Sequence, residues 1–204
     1  MSKARIPASV PELSRSASPG LGPKQRISRR NPTMIKRAED LKGTTTMLTR
    51  VALDQKTRDE IASLLQETLG ELIDFSLQLK QGHWNCVGRH FRDVHLQLDE
   101  ILASTREHAD EVAERIAALG IATEGNAGTT AKASKLEPFP SGLMDADAVS
   151  HALAERFGAL LKHARERQAR LGELDAVSED VMIAMLRDLE KHAWMLNART
   201  ADKA

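Results

Sequence analysis

A single unbroken helical run constrains this 204-residue chain more than any other feature. From about Arg89 to Leu119 there is neither proline nor glycine, and Gly88 and Gly120 bracket the run. Phe91, Val94, Leu98, Ile101, Leu102, Val112, Ile116 and Leu119 recur at helical spacing, which commits one face to a core. Gly120 stands where a helix commonly ends in a left-handed glycine. Two pairs of metal-ligating residue types share this run: His95 with Asp99, and Asp110 with Glu114. Each pair is four residues apart, so each projects from one face and can share a cation. Asp99 and Asp110 are close to three whole turns apart, so the pairs look to nearly the same side but are separated by about 16 Å along the axis. One chain cannot close that gap on one ion. An antiparallel copy across a two-fold axis can, setting His95/Asp99 of one chain against Asp110/Glu114 of the other and making two equivalent sites. A further ligand type, His83, stands just before the run.

Three other stretches read as helices, so the expectation is an all-α chain. The first starts near Thr57, which with Glu60 has capping-box spacing, and runs to about Gly82 or His83 with Ile61, Leu64, Leu65, Leu69, Leu72 and Ile73 as its stripe. Another runs from about Asp145 to Leu171, stopped at Gly172, with Val149, Leu153, Phe157, Leu160 and Leu161 inward. Its basic later half, Lys162, Arg165, Arg167 and Arg170, reads as a solvated face. The last starts at Ser178 as N-cap and turns Met182, Met185, Leu186, Leu189, Ala193 and Leu196 inward; Trp194 and the methionines are expected in the core. Ile121–Met144, with its glycines and prolines, is a long connection, as a bundle with parallel second and third helices needs.

The motif QGHWN at Gln81–Asn85, then H-x3-D, then D-x3-E, closely resembles the ferroxidase signature of the Dps family, the mini-ferritins called DNA-binding proteins from starved cells. The likeness extends over roughly Asp54 to Ala198 as helix pattern and is most specific in Gln81–Arg115. It implies a ferritin-like four-helix bundle whose long crossover carries a short helix, around Ala131–Leu136 here. Residue by residue, it places the ferroxidase ligands on His83, His95, Asp99, Asp110 and Glu114, the last two supplied by the dimer mate. It also implies a di-iron centre, oxidation of Fe²⁺ preferably by H₂O₂, a ferric mineral core and a dodecamer. Trp84 would lie beside the iron pair, as electron donor or as packing that shields the site. Asp175, Glu179 and Asp180 stand roughly where the family lines a pore. No histidine has a glutamate three residues before it, which argues against the Glu-x-x-His sites of larger ferritins. His90, His108, His151, His163 and His192 read as solvated or helix-capping charges, and Glu100, Glu107 and Glu111 as surface partners.

The net charge of zero hides an asymmetry. Residues 1–50 carry +8, from 11 basic and 3 acidic side chains, and residues 51–204 carry −8, from 18 and 26. The first segment holds five of the seven prolines and reads as a disordered basic tail ahead of a bundle spanning 51–204. Lys24, Arg26, Arg29, Arg30, Lys36 and Arg37 are its densest basic patch, suited to phosphate contact without sequence readout. Competing readings are a solvating segment, a transit-like peptide, or a start at Met34. The single cysteine, Cys86, reads as a small buried hydrophobe, in keeping with a reducing cytosol, and no apolar run suggests a membrane span. The expected function is a cytoplasmic, nucleoid-associated ferroxidase and iron store that binds DNA. Alternatives are a DNA-coating protein with a vestigial metal site, or an iron shell without DNA affinity.

Overall fold

The computed structural model describes Gly43 and residues 45–200, the last by its backbone alone. Lys24, Arg26, Arg29, Arg30, Lys36 and Arg37 lie outside the described residues. Helix α1 spans Gln55–Asn85. It begins earlier than expected because Asp54, not Thr57, is its cap: the Asp54 carboxylate accepts the Thr57 N–H at 2.9 Å and the Thr57 hydroxyl at 2.7 Å. Glu60 therefore closes no capping box and instead accepts Arg170 Nε at 2.8 Å. Helix α2 spans Phe91–Ala118 and ends as expected at Gly120, with φ +80°. A Cβ there would also stand 2.6 Å from the Met47 carbonyl oxygen, so only glycine fits. The Thr45 and Met47 backbones bond to this turn: Met47 N–H donates to Gly120 O at 2.8 Å and Thr45 O accepts from Ala122 N–H at 2.8 Å.

The crossover carries helix α3, Ala127–Ala133. It sits a few residues ahead of the expected Ala131–Leu136 because Asn126 caps it, accepting the Thr129 N–H at 3.0 Å. Strand β1, Cys86–Val87, pairs in parallel with β2, Met144–Asp145, a ladder that periodicity did not announce. Helix α4, Ala146–Leu174, follows, capped by Asp145. Gly172 does not stop it. The glycine instead makes room for Glu179, whose Oε1 would lie 2.7 Å from a Cβ at that position. A single residue, Asp175, separates α4 from helix α5, Ala176–Thr200. Asp175 rather than Ser178 is the cap: its carboxylate accepts the Ser178 N–H at 2.9 Å and the Ser178 hydroxyl at 2.6 Å.

Arg58 near the start of α1 donates to Leu119 O at 3.0 Å, so α1 begins where α2 ends. The β1–β2 ladder puts the start of α4 at the other end. The crossover therefore runs the length of the bundle and leaves α2 and α4 parallel. Helix α1 packs on α2 and α4, and α5 on α4 and α2. Ile61, Leu65, Leu72, Val94, Leu98, Ile101, Val149, Leu153, Met182 and Met185 are fully buried between them, each adding roughly 1.5–3 kcal/mol by leaving water. Phe75 and Phe157 meet with ring centroids 4.7 Å apart. Trp194 departs from expectation: it is 66% exposed, on the outer side of α5. Arg167 departs the other way. It is buried, not solvated, and donates to the fully buried Glu71 at 2.9 Å, whose other oxygen lies 2.8 Å from His163 Nδ1. No described helix is long and apolar enough to cross a membrane.

Candidate metal centre

The last turns of α1 and the first turns of α2 face each other across the short link that contains β1. His83 comes from α1, and His95 and Asp99 come from α2. One ligand atom from each of these three side chains lies within 4.8 Å of the others. Among the described residues this is the one such group of His, Cys, Asp and Glu. The two imidazoles stack with centroids 3.6 Å apart, and Phe91 lies 5.0 Å from His95. Their hydrogen bonds are reciprocal: His83 Nδ1 is 3.0 Å from His95 O, and His95 Nδ1 is 3.2 Å from His83 O. A carbonyl oxygen only accepts, so each Nδ1 carries a proton, and Nε2 is the nitrogen that either ring would present to a cation in its neutral form. The backbone thus sets which ring nitrogen can meet a metal.

Asp99 completes the group. Its Oδ1 lies 3.3 Å from His83 Nδ1 and 2.6 Å from Lys80 Nζ. The Lys80 hydrogen bond, helped by the fields of His83 and His95, holds the Asp99 carboxyl below the usual carboxylate range despite some desolvation. Lys80 was missed in the sequence, although its place three residues before His83 puts it on the same face of α1. Its ammonium marks a position where positive charge is favourable. Two imidazoles and a carboxylate form a mixed nitrogen and oxygen donor set that fits Fe²⁺ or a similar borderline cation.

Asp110 and Glu114 are not part of this group; both are exposed farther along α2. Trp84, 69% exposed, follows His83 in sequence, and Phe91 and Leu96 are also exposed on the neighbouring turns of α2. Cys86 is buried and free, its thiol pushed up by burial and by Asp145. Of the three acidic residues near the start of α5, Asp175 is spent on capping and on Arg115, whose Nη2 is 2.7 Å away. Glu179 accepts Gln168 at 2.7 Å. Asp180 is exposed.

Comparison with known proteins bears on this arrangement. The ferritin-like domain family model matches residues 62–202. The chain is 35% identical over 153 residues to the DNA protection during starvation protein of Mycolicibacterium smegmatis, covering 75% of this chain and 84% of that protein. It is 31% identical over 157 residues to the protein of the same name from Agrobacterium fabrum, covering 76% and 97%. The solved structure of Mycobacterium smegmatis Dps in a tetragonal form superposes with a TM-score of 0.74 at 34% identity, covering 77% of this chain and 95% of that one.

Proposed function

The chain belongs to the Dps family of ferritin-like proteins, and from that premise we propose that it oxidises Fe²⁺ with H₂O₂ at sites shared between subunits, stores the ferric product and protects DNA. The observation that carries the reading is the half-site. His83, His95 and Asp99 converge, while Asp110 and Glu114 lie about 16 Å farther along α2. A second copy packed antiparallel against α2 supplies the missing carboxylates, and exposed Trp84, Phe91 and Leu96 are apolar surface for that contact. The assembly proposed is the family's dodecamer, cytoplasmic and nucleoid-associated.

Fe²⁺ is the substrate. Two imidazoles oriented by Nδ1–H bonds to carbonyls direct Nε2 to the cation, and Asp99 offers a carboxylate already ionised. Lys80 must swing away from Asp99 as the cation enters. Two Fe²⁺ each give one electron to one H₂O₂. The O–O bond breaks, two protons are taken up and two waters form, so no hydroxyl radical is released. The basic tail would meet DNA phosphates while the acidic body attracts cations.

The test compares ferric absorbance after an H₂O₂ pulse to anaerobically loaded protein, wild type against His95→Ala/Asp99→Ala. A loss of the H₂O₂-dependent rate by at least about a hundredfold is expected, since two of five ligands go and one second-sphere change alone costs about 10–100-fold. Equal rates would contradict the reading.

A further inference from the structure

We propose that the cavity between α1, α3 and the adjoining crossover binds a small primary alkylamine, its ammonium held by Asp74 and Gln78 of α1. The site stands apart from the iron centre and does not depend on it: Asp74 lies nine residues before His83, about 14 Å back along the helix.

Helix α3 seats closely on α1 at Gly70, where an added Cβ would stand 3.0 Å from Ala133 Cβ. One turn farther along the same face of α1 comes Asp74, and one more turn brings Gln78. Between these two and the crossover lies a cavity of about 310 Å³, walled on the other side by Ala131, Ser134, Leu136 and Phe139. That volume is at the lower end of small-ligand sites. Its walls divide by chemistry: a carboxylate and an amide from α1, and apolar side chains from the crossover.

The polar wall calls for a cation. Asp74 Oδ2 accepts the Ser134 hydroxyl at 2.6 Å and the Gln78 amide Nε2 at 3.0 Å. Both donors are neutral, and among the described residues Asp74 pairs with no lysine, arginine or histidine and its Oδ1 accepts no hydrogen bond. Lys135, next to Ser134 in sequence, is drawn instead to Glu67, 2.8 Å away. Gln78 is 6% exposed, and its Oε1 is buried with no hydrogen-bond partner among the described residues. Its amide head is tied to Asp74 and so lies at the cavity wall. Turning that amide over would set its oxygen against the Asp74 carboxylate and orphan the NH₂, so the unmatched group is an acceptor. A carboxylate oxygen and an amide oxygen, both without donors, match an ammonium, which has three donors and no acceptor. Water supplies donors but no charge, and it gains nothing from Leu136 and Phe139, which suit an alkyl chain. Arg156, 5.8 Å from the Phe139 ring centroid, is engaged elsewhere: it donates to Pro138 O and Ala152 O and pairs with Glu155 at 3.2 Å.

The test is saturation-transfer NMR on the full-length protein, with n-butylammonium chloride as the probe and n-butanol as its uncharged counterpart. Wild type should give a saturable n-butylammonium titration and bind n-butanol at least about tenfold more weakly, the worth of a hydrogen bond to a charged group. Asp74→Asn should weaken n-butylammonium by a similar factor. Ala131→Leu keeps every charge and fills the cavity from α3, so it should abolish saturable binding, whereas diffuse attraction to the acidic body would survive it. If Asp74→Asn fails to fold, Ala131→Leu decides alone. No saturable binding by wild type, equal affinity for n-butanol, or undiminished binding in Ala131→Leu would each overturn the site. None of these results touches the ferroxidase reading, which is tested by the H₂O₂-dependent rate.

Discussion

At the scale of single residues, Lys80 is the most informative side chain. It makes a 2.6 Å ion pair with the carboxylate that a cation would need, so it keeps Asp99 ionised and also competes with the metal. An exposed pair of this kind contributes roughly 0–1 kcal/mol, and Asp99 is 45% exposed. Replacing Lys80 with Met should therefore raise affinity for the first divalent cation by up to about fivefold at neutral pH. Anaerobic calorimetry with Fe²⁺ measures this; weaker binding in Lys80→Met would show that Lys80 supports the site and does not compete for it. His95 and Asp99 were legible as a candidate pair because helical spacing survives any detail of packing, and His83 joined them through the family resemblance. Lys80 was not, because one lysine on a long helix has no signature until the facing helix supplies Asp99. His108 was likewise read as a surface charge, and only the neighbouring α5 reveals that Asp188 holds it.

Among the elements, the junction of α4 and α5 is the sharpest feature. Asp175 alone joins two long helices, caps α5 through Ser178 and pairs with Arg115 on α2. Burial works to raise its carboxyl, but the Ser178 and Arg115 bonds outweigh that and leave it lowered. The stability it gives is complete above the unfolded aspartate pKa of about 3.9 and is lost as pH falls through the lower folded value. Asp175→Ala should lower Tm at neutral pH, with about 0.5–2 kcal/mol lost from the cap and more from unpaired Arg115. The difference should narrow at acid pH. Thermal unfolding of both proteins across pH checks this, and a gap that widens on acidification would contradict it.

The same junction explains what the sequence hid. The helical interiors, the long crossover and the Gly120 ending were readable from spacing and from residue types with strong local preferences. The caps at Asp54 and Asp175 lay three residues from better-looking signals at Thr57 and Ser178, and in each case a hydroxyl serves its neighbour's carboxylate. Gly172 looked like a stop but marks close packing with Glu179. Trp194 was expected in the core although it lies off the apolar stripe of α5, and its position on the helix turns it outward. Only at Gly172 does a residue of the facing helix decide the outcome; at Asp54 and Asp175 it is a carboxylate three residues from the expected cap.

For the whole molecule, charge separates the two proposed activities. A body at −8 suits cation uptake, and a segment at +8 suits polyanions. If Lys24, Arg26, Arg29, Arg30, Lys36 and Arg37 each neutralise one phosphate, affinity for duplex DNA should fall about a thousandfold between roughly 50 and 200 mM salt. Fluorescence anisotropy at several salt concentrations measures the slope. Removing residues 1–42 should abolish binding and leave Fe²⁺ oxidation intact. Salt-insensitive binding, or binding that survives the deletion, would place the DNA surface elsewhere.

The most direct test of the shared site is subunit complementation. His95→Ala and Asp110→Ala proteins are prepared separately, unfolded together, reassembled and assayed for H₂O₂-dependent Fe²⁺ oxidation. Each variant alone should be nearly inactive, because every site lacks one ligand. In a mixed dimer, one site collects both lesions and the other is whole, so reassembly should restore about a quarter of the wild-type rate when equal amounts mix at random. Recovery near that level would support a centre built from two chains. A mixture as inactive as its components, beside an active wild type, would contradict it.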